Sequence, residues 1–269
     1  MVLEQAIKIK WLQKKEHSFF IGFIYSLIAI GSAYLILPSY TAMASIAFTA
    51  VLLLPSINKL LAIEEKIEIK QRKKSVLQLL KDNKDIIKIY LFMFFGIFIA
   101  YLLVALSLPQ ETSRFIFDAQ LTLTGIIGKA TGADFFTKIV LNNLLVFIVC
   151  FILSLFYGAG AVLFLTVNAS AWGSYFGYVL RNTIIATNES IISTFFFYII
   201  RIMPHTILEA LSYIFAAIAG GVISKAILKE KIFSKEFNKI IIDSLIILSI
   251  GIIIVILAGL VETIAYNKI

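Results

Sequence analysis

An all-α polytopic transmembrane helix bundle of about seven spans is the fold class this sequence predicts. Three observations carry the expectation. Hydrophobic residues make up 60% of the 269 and charged residues only 15%, against roughly 45–50% and about 25% in average soluble domains. Uncharged apolar runs of close to 20 residues recur along the chain, the length a helix needs to cross a hydrocarbon core of about 30 Å. The basic residues collect in a few polar stretches between those runs. A soluble chain could not cover this much apolar surface, so a soluble enzyme, a disordered linker and a disulfide-stapled secreted module are excluded. The single cysteine, Cys150, lies in an apolar run, so there is neither an intrachain disulfide nor a thiolate metal cluster.

The first run, residues 18–37, is an uncharged stretch of 20 preceded by Lys8, Lys10, Lys14 and Lys15. That layout resembles a signal peptide, but the run is long and further spans follow, so it reads as an uncleaved first helix broken at Pro38. Residues 40–54 form a second, short span ending at Pro55. Together they make residues 1–57 an N-terminal pair of transmembrane helices. Residues 58–88 hold nine bases, with apolar residues at helical spacing (Leu60, Ile63, Ile67; Val76, Leu77, Leu80). They read either as amphipathic helices on the cytoplasmic membrane surface or as a solvated loop that sets topology. Residues 89–138 comprise a third span, 89–108, and an exterior loop, 110–137, that contains a short interfacial helix.

Residues 139–269 form the C-terminal bundle. A fourth span runs from Ile139 to about Gly160. Ala169, Gly173 and Gly177 fall at i, i+4 and i+8, a small-residue ridge that lets helices approach closely and supports a fifth span over roughly 165–185. Gly220 and Gly221 belong to a second small-residue stretch. The run 191–200 is too short to cross alone and reads as a re-entrant or interfacial helix over 190–203. Pro204 suits the first residue of a sixth span reaching Ala226, and residues 241–264 form the seventh. Of the 24 bases, 18 fall before the first span, in 58–88 and in Lys225–Lys239. This asymmetry places the N-terminus in the cytoplasm, with the chain expected in a plasma membrane. It also accounts for the formal charge of +8 without nucleic acid as a partner.

Ionisable groups within spans are functional-site hypotheses by default. Arg201, His205 and Glu209 are spaced four apart, so His205 and Glu209 share a helix face that Arg201 can fold over. Glu262 and Asp243 in the last span, with Asn142, Asn143 and Asn168, are the candidates to meet them. Three readings of His205 and Glu209 stand: a buried polar network that ties helices together, a proton or ion pathway, and a metal site. The last lacks further ligands, with two histidines in the whole chain, and neither a metal nor a cofactor is expected. No zinc-protease helix, Walker A loop, nucleophile elbow or dinucleotide fingerprint is present. No spacing singles out Ser170 or Ser212 as a nucleophile. Asn188-Glu189-Ser190 and Asn168-Ala169-Ser170 match the glycosylation sequon, a pattern of low specificity.

The order of these polar residues resembles the SpoIIM family of integral membrane proteins, named for the stage II sporulation protein M. The resemblance covers roughly residues 136–265. It rests on Asn142-Asn143 opening an apolar helix, Gly158 and Gly160 leading to Asn168, Pro204-His205 with Glu209, the stretch Ala216–Gly221, and Glu262. Ala169 and Thr206 stand where the family pattern has glycine. The resemblance implies a non-enzymatic membrane scaffold that organises envelope proteins, with residues 58–88 and 110–137 as docking segments. It does not carry sporulation over, since relatives occur in organisms that do not sporulate. The polar cluster inside apolar helices, next to an expected helix break at 191–204, points instead to a transporter, channel or lipid translocator. The partners expected are membrane lipids and membrane or envelope proteins, with self-association left open.

Overall fold

The computed structural model describes residues 16–68, 84–127, 133–157, 161–187 and 190–266. Regular structure among them is helical throughout: α1 (His17–Ile36), a 3-10 turn (Pro38–Tyr40), α2 (Thr41–Glu68), α3 (Lys84–Ser107), α4 (Gln110–Ile116), α5 (Asp118–Ile127), α6 (Ala133–Tyr157), α7 (Ala161–Thr187), α8 (Ile191–Lys229) and α9 (Lys235–Tyr266). Two of the four prolines mark helix boundaries. At Leu37 the backbone leaves the helical region (φ −133°, ψ 61°) and Pro38 opens the 3-10 turn. Pro109 is the N-cap of α4.

Six helices among the described residues are long and apolar enough to cross a membrane: α1, α2, α3, α6, α8 and α9. The expected fifth span, α7, has the length (27 residues) but is more polar. It sits inside the bundle against α3, α6 and α8, which is why it tolerates that polarity. Thr166 and Ser170, both buried, bond to the carbonyls of Val162 (2.8 Å) and Val167 (3.0 Å) in their own helix. Ser174 likewise donates to the carbonyl of Ser170.

Side-chain contacts fix the directions. Gly173 and Gly177 of α7 meet Phe98 and Leu102 of α3, and the Arg181 guanidinium donates to the carbonyl of Leu106 at 2.8 Å. The constant offset makes α3 and α7 parallel. Asn143 contacts Glu209, and Gly220 meets Phe151, so α6 and α8 are parallel too. Antiparallel pairs are α7 with α8 (Trp172 with Glu209, Thr183 with Tyr198) and α6 with α9 (Phe147 with Gly251, Val140 with Gly259). Up-and-down alternation follows. One end of the bundle collects the start of α3 and the α8–α9 turn, with Lys84, Lys88, Lys229, Lys231 and Lys235. The other end carries α4, α5, the end of α7 and the start of α8.

Small residues set the closest seams. A Cβ at Gly173 or Gly177 would run into the backbone carbonyls of Phe98 and Leu102, and one at Gly220 into that of Phe151. Ala169 is fully buried on the same ridge, whereas Gly221 is half-buried. Gly22 and Gly96 make an equally close α1–α3 crossing, which the sequence reading did not single out.

Several expected boundaries move. Pro55 does not end the second span: α2 continues through it to Glu68, with Leu53 and Ile57 on either side packed into the core. The segment 58–88 is helical at both ends, and residues 69–83 lie outside those described. Residues 110–137 contain two short helices, α4 and α5, and the start of α6. The re-entrant helix expected over 190–203 is the first part of α8, a single helix of 39 residues with Pro204 inside it. At about 1.5 Å per residue it is nearly 60 Å long, about twice a hydrocarbon core. Packing of the flanking turns holds it together across the proline, since Ile202, His205 and Thr206 are all buried. In a membrane bundle, neighbouring helices and hydroxyls compensate the backbone group a proline leaves free.

Candidate functional site: a buried polar centre

Four helices bring polar side chains together in an apolar interior. Glu209 of α8 is 3% exposed and accepts two hydrogen bonds. Asn143 Nδ2 on α6 donates to its Oε1 at 2.8 Å, and Trp172 Nε1 on α7 donates to its Oε2 at 3.1 Å. The Tyr213 hydroxyl, one turn beyond Glu209 on α8, donates to Asn143 Oδ1 at 3.1 Å. With Oδ1 on that hydroxyl, the amide turns its NH₂ toward the carboxylate. By the α3–α7 offset, Trp172 lies level with Ile97, ten residues or about 15 Å from the end of α3. The centre therefore sits near mid-depth of a hydrocarbon core.

Glu262 of α9 is completely buried, and its carboxyl faces that of Glu209 at hydrogen-bonding range. Antiparallel packing of α8 and α9 explains how they meet. Helical side chains lean toward their own N-terminus, so these two lean toward each other across the seam. Neither Glu262 oxygen finds an N–H or O–H donor among the described residues. His205 is 1% exposed and sets its ring at 4.9 Å from the Trp172 ring in a T-shaped contact. It leans toward the backbone carbonyl of Arg201 one turn earlier, yet neither ring nitrogen completes a hydrogen bond.

The structure thus groups Asn143, His205, Glu209 and Glu262. Other expected members fall elsewhere. Asn142 is exposed on the outer surface of α6, because one residue along a helix is a turn of about 100°. Asn168 is half-buried, and its amide donates to the carbonyl of Phe164 in its own helix at 3.1 Å. Arg201 does not fold over the His205–Glu209 face; its guanidinium lies 4.8 Å from the centroid of the exposed Phe197 ring. Asp243 lies near the opposite end of α9, half-buried.

Two members were missed. Tyr213 continues the spacing of His205 and Glu209 by four and was legible from it. Trp172 adjoins Gly173 on the small-residue ridge, but nothing in α7 alone shows that its indole N–H reaches a carboxylate on another helix. Among the described residues no group of three or more His, Cys, Asp or Glu side chains has the arrangement to hold a metal ion.

Residues 89–265, from α3 to α9, match the family model described as SpoIIM, Stage II sporulation protein M. The match contains every member of the polar centre. No curated protein and no solved structure matches the chain.

Proposed function

The chain belongs to the SpoIIM family, and we propose that this multi-pass membrane protein is a translocator working through the Glu209–Glu262–His205 centre. One observation carries the reading: the buried polar groups are only half satisfied. A network that merely ties helices together gains by pairing every member, because an unpaired polar group in an apolar interior costs about 1–3 kcal/mol. Among the described residues the Glu262 oxygens meet no N–H or O–H donor and neither His205 nitrogen completes a hydrogen bond, whereas Glu209 and Asn143 are well bonded. Ionisable groups kept at mid-depth against that penalty typically mark a pathway for ions or substrate. The expected helix break no longer supports the reading, since α8 is continuous, and the centre supports it alone. The role is non-enzymatic, and the basic end of the bundle faces the cytoplasm by the positive-inside rule.

A translocator must open its centre to each side in turn. His205→Cys, in a Cys150→Ser background, should react with a membrane-impermeant thiol reagent in both right-side-out and inside-out vesicles. Ser234→Cys, in the α8–α9 turn, should react only in inside-out vesicles. No reaction at His205→Cys from either side would overturn the reading, and reaction of Ser234→Cys in right-side-out vesicles would invert the orientation.

Assembly of envelope partners is the second reading, favoured by Phe115 of α4 and Leu123 of α5. Both are exposed on short helices at the end opposite the basic turn. Polar substitution of both should release co-purifying partners, and an unchanged set of partners would remove this reading.

A further inference from the structure

We propose that Glu209 and Glu262 together form a proton-binding site that holds one proton, with Glu262 as the acid and Glu209 as the carboxylate that accepts from it. The hydrogen-bond inventory decides which residue plays which part. An indole N–H only donates, so Trp172 fixes Glu209 Oε2 as an acceptor at 3.1 Å. Asn143 presents its NH₂ to Oε1 at 2.8 Å while its Oδ1 accepts from the Tyr213 hydroxyl. Both Glu209 oxygens are thus occupied as acceptors. Among the described residues Glu262 has no N–H or O–H donor to accept from, and its carboxyl faces another acceptor, the Glu209 carboxyl. Two ionised carboxylates opposed in an apolar medium repel strongly. A proton on Glu262 turns the same contact into a charge-assisted O–H···O⁻ bond.

The groups around the pair leave this assignment in place. From α8 come His205, Glu209 and Tyr213; from α6, Asn143 and Cys150; from α7, Trp172; and from α9, Glu262 itself. The Arg201 guanidinium on α8 is held over Phe197. His205 is the second, independent sign of a ligand. It is buried one turn from Glu209 with neither ring nitrogen hydrogen-bonded among the described residues, and its imidazole is a group beside the pair with a free site for a proton. A metal cation would require oxygen ligands that Glu209 and Asn143 already commit to hydrogen bonds. Losing the proton would leave two charges in the apolar interior. Release therefore requires water or a cation to reach the pair, which ties protonation to opening of the bundle. The proton site stands on the geometry alone; its use as the driving ion rests on the translocation reading.

Infrared difference spectroscopy of the full-length protein in lipid tests the site directly. At neutral pH the wild type should show one buried carboxylic-acid C=O band that shifts in D₂O. Glu262→Gln should lose it. Glu209→Gln should keep a band, displaced to higher frequency because the strong acceptor is gone. Absence of the band from the wild type overturns the proposal without reference to any variant. So does a band that survives Glu262→Gln, or one that vanishes when sodium chloride is added at constant pH, which would make the ligand a monovalent cation. A band with no two-sided reactivity at His205→Cys would retain the proton site and remove translocation. Two-sided reactivity without the band would do the reverse.

Discussion

Asn142 and Asn143 are neighbours in the chain with opposite surroundings, and the contrast separates working groups from supporting ones. Asn143 is buried and bridges Glu209 to Tyr213, while Asn142 is exposed on α6. Asn143→Ala should lower thermal stability in detergent by about 1–3 kcal/mol, because it takes the hydrogen-bond partner from Glu209 Oε1 and from the Tyr213 hydroxyl. Asn142→Ala should change it by less than about 0.5 kcal/mol. His205→Phe should behave unlike either, raising the melting temperature by a few degrees. It keeps the T-shaped contact with Trp172 and removes two unsatisfied polar atoms. A fall comparable with that of Asn143→Ala would mean that His205 is structural. The sequence could show that His205, Glu209 and Tyr213 share a face. It could not show which of two adjacent asparagines turns inward, because that depends on how α6 is rotated against α8.

At the level of elements, composition and spacing revealed the apolar helices but not their ends. Prolines mislead most. Pro38 and Pro109 do sit at helix boundaries, whereas Pro55 and Pro204 lie inside α2 and α8. The local rule that proline breaks a helix gives way where neighbouring helices enclose the flanking turns, and no single segment reveals its neighbours. The small-residue ridge was legible because its spacing of four is a property of one helix, and its partner α3 emerged only from the packing. Gly173→Ala places a methyl group against the Phe98 carbonyl, with no flexible side chain to give way. It should cost about 1–3 kcal/mol by overpacking, read as a lower melting temperature. Gly31→Ala, where a Cβ meets nothing within 4 Å, should be tolerated or slightly stabilising. Equal stability of the two variants would argue against close approach of α3 and α7.

For the whole molecule, up-and-down helices assemble so that α7, too polar to rank with the apolar spans, lies among α3, α6 and α8 and helps to enclose the centre with α9. The family match begins at residue 89, earlier than the 136 at which the sequence resemblance becomes readable. Its N-terminal part, α3, supplies the packing surface for α7 rather than a chemical motif. The central claim is that the Glu209–Glu262 pair exchanges a proton with water across part of the membrane. Currents recorded from the reconstituted protein on a solid-supported membrane after a pH jump test it most directly. The wild type should give a transient charge displacement that is lost in both Glu209→Gln and Glu262→Gln. A wild type without the transient, or a transient of equal size in either variant, would contradict the account.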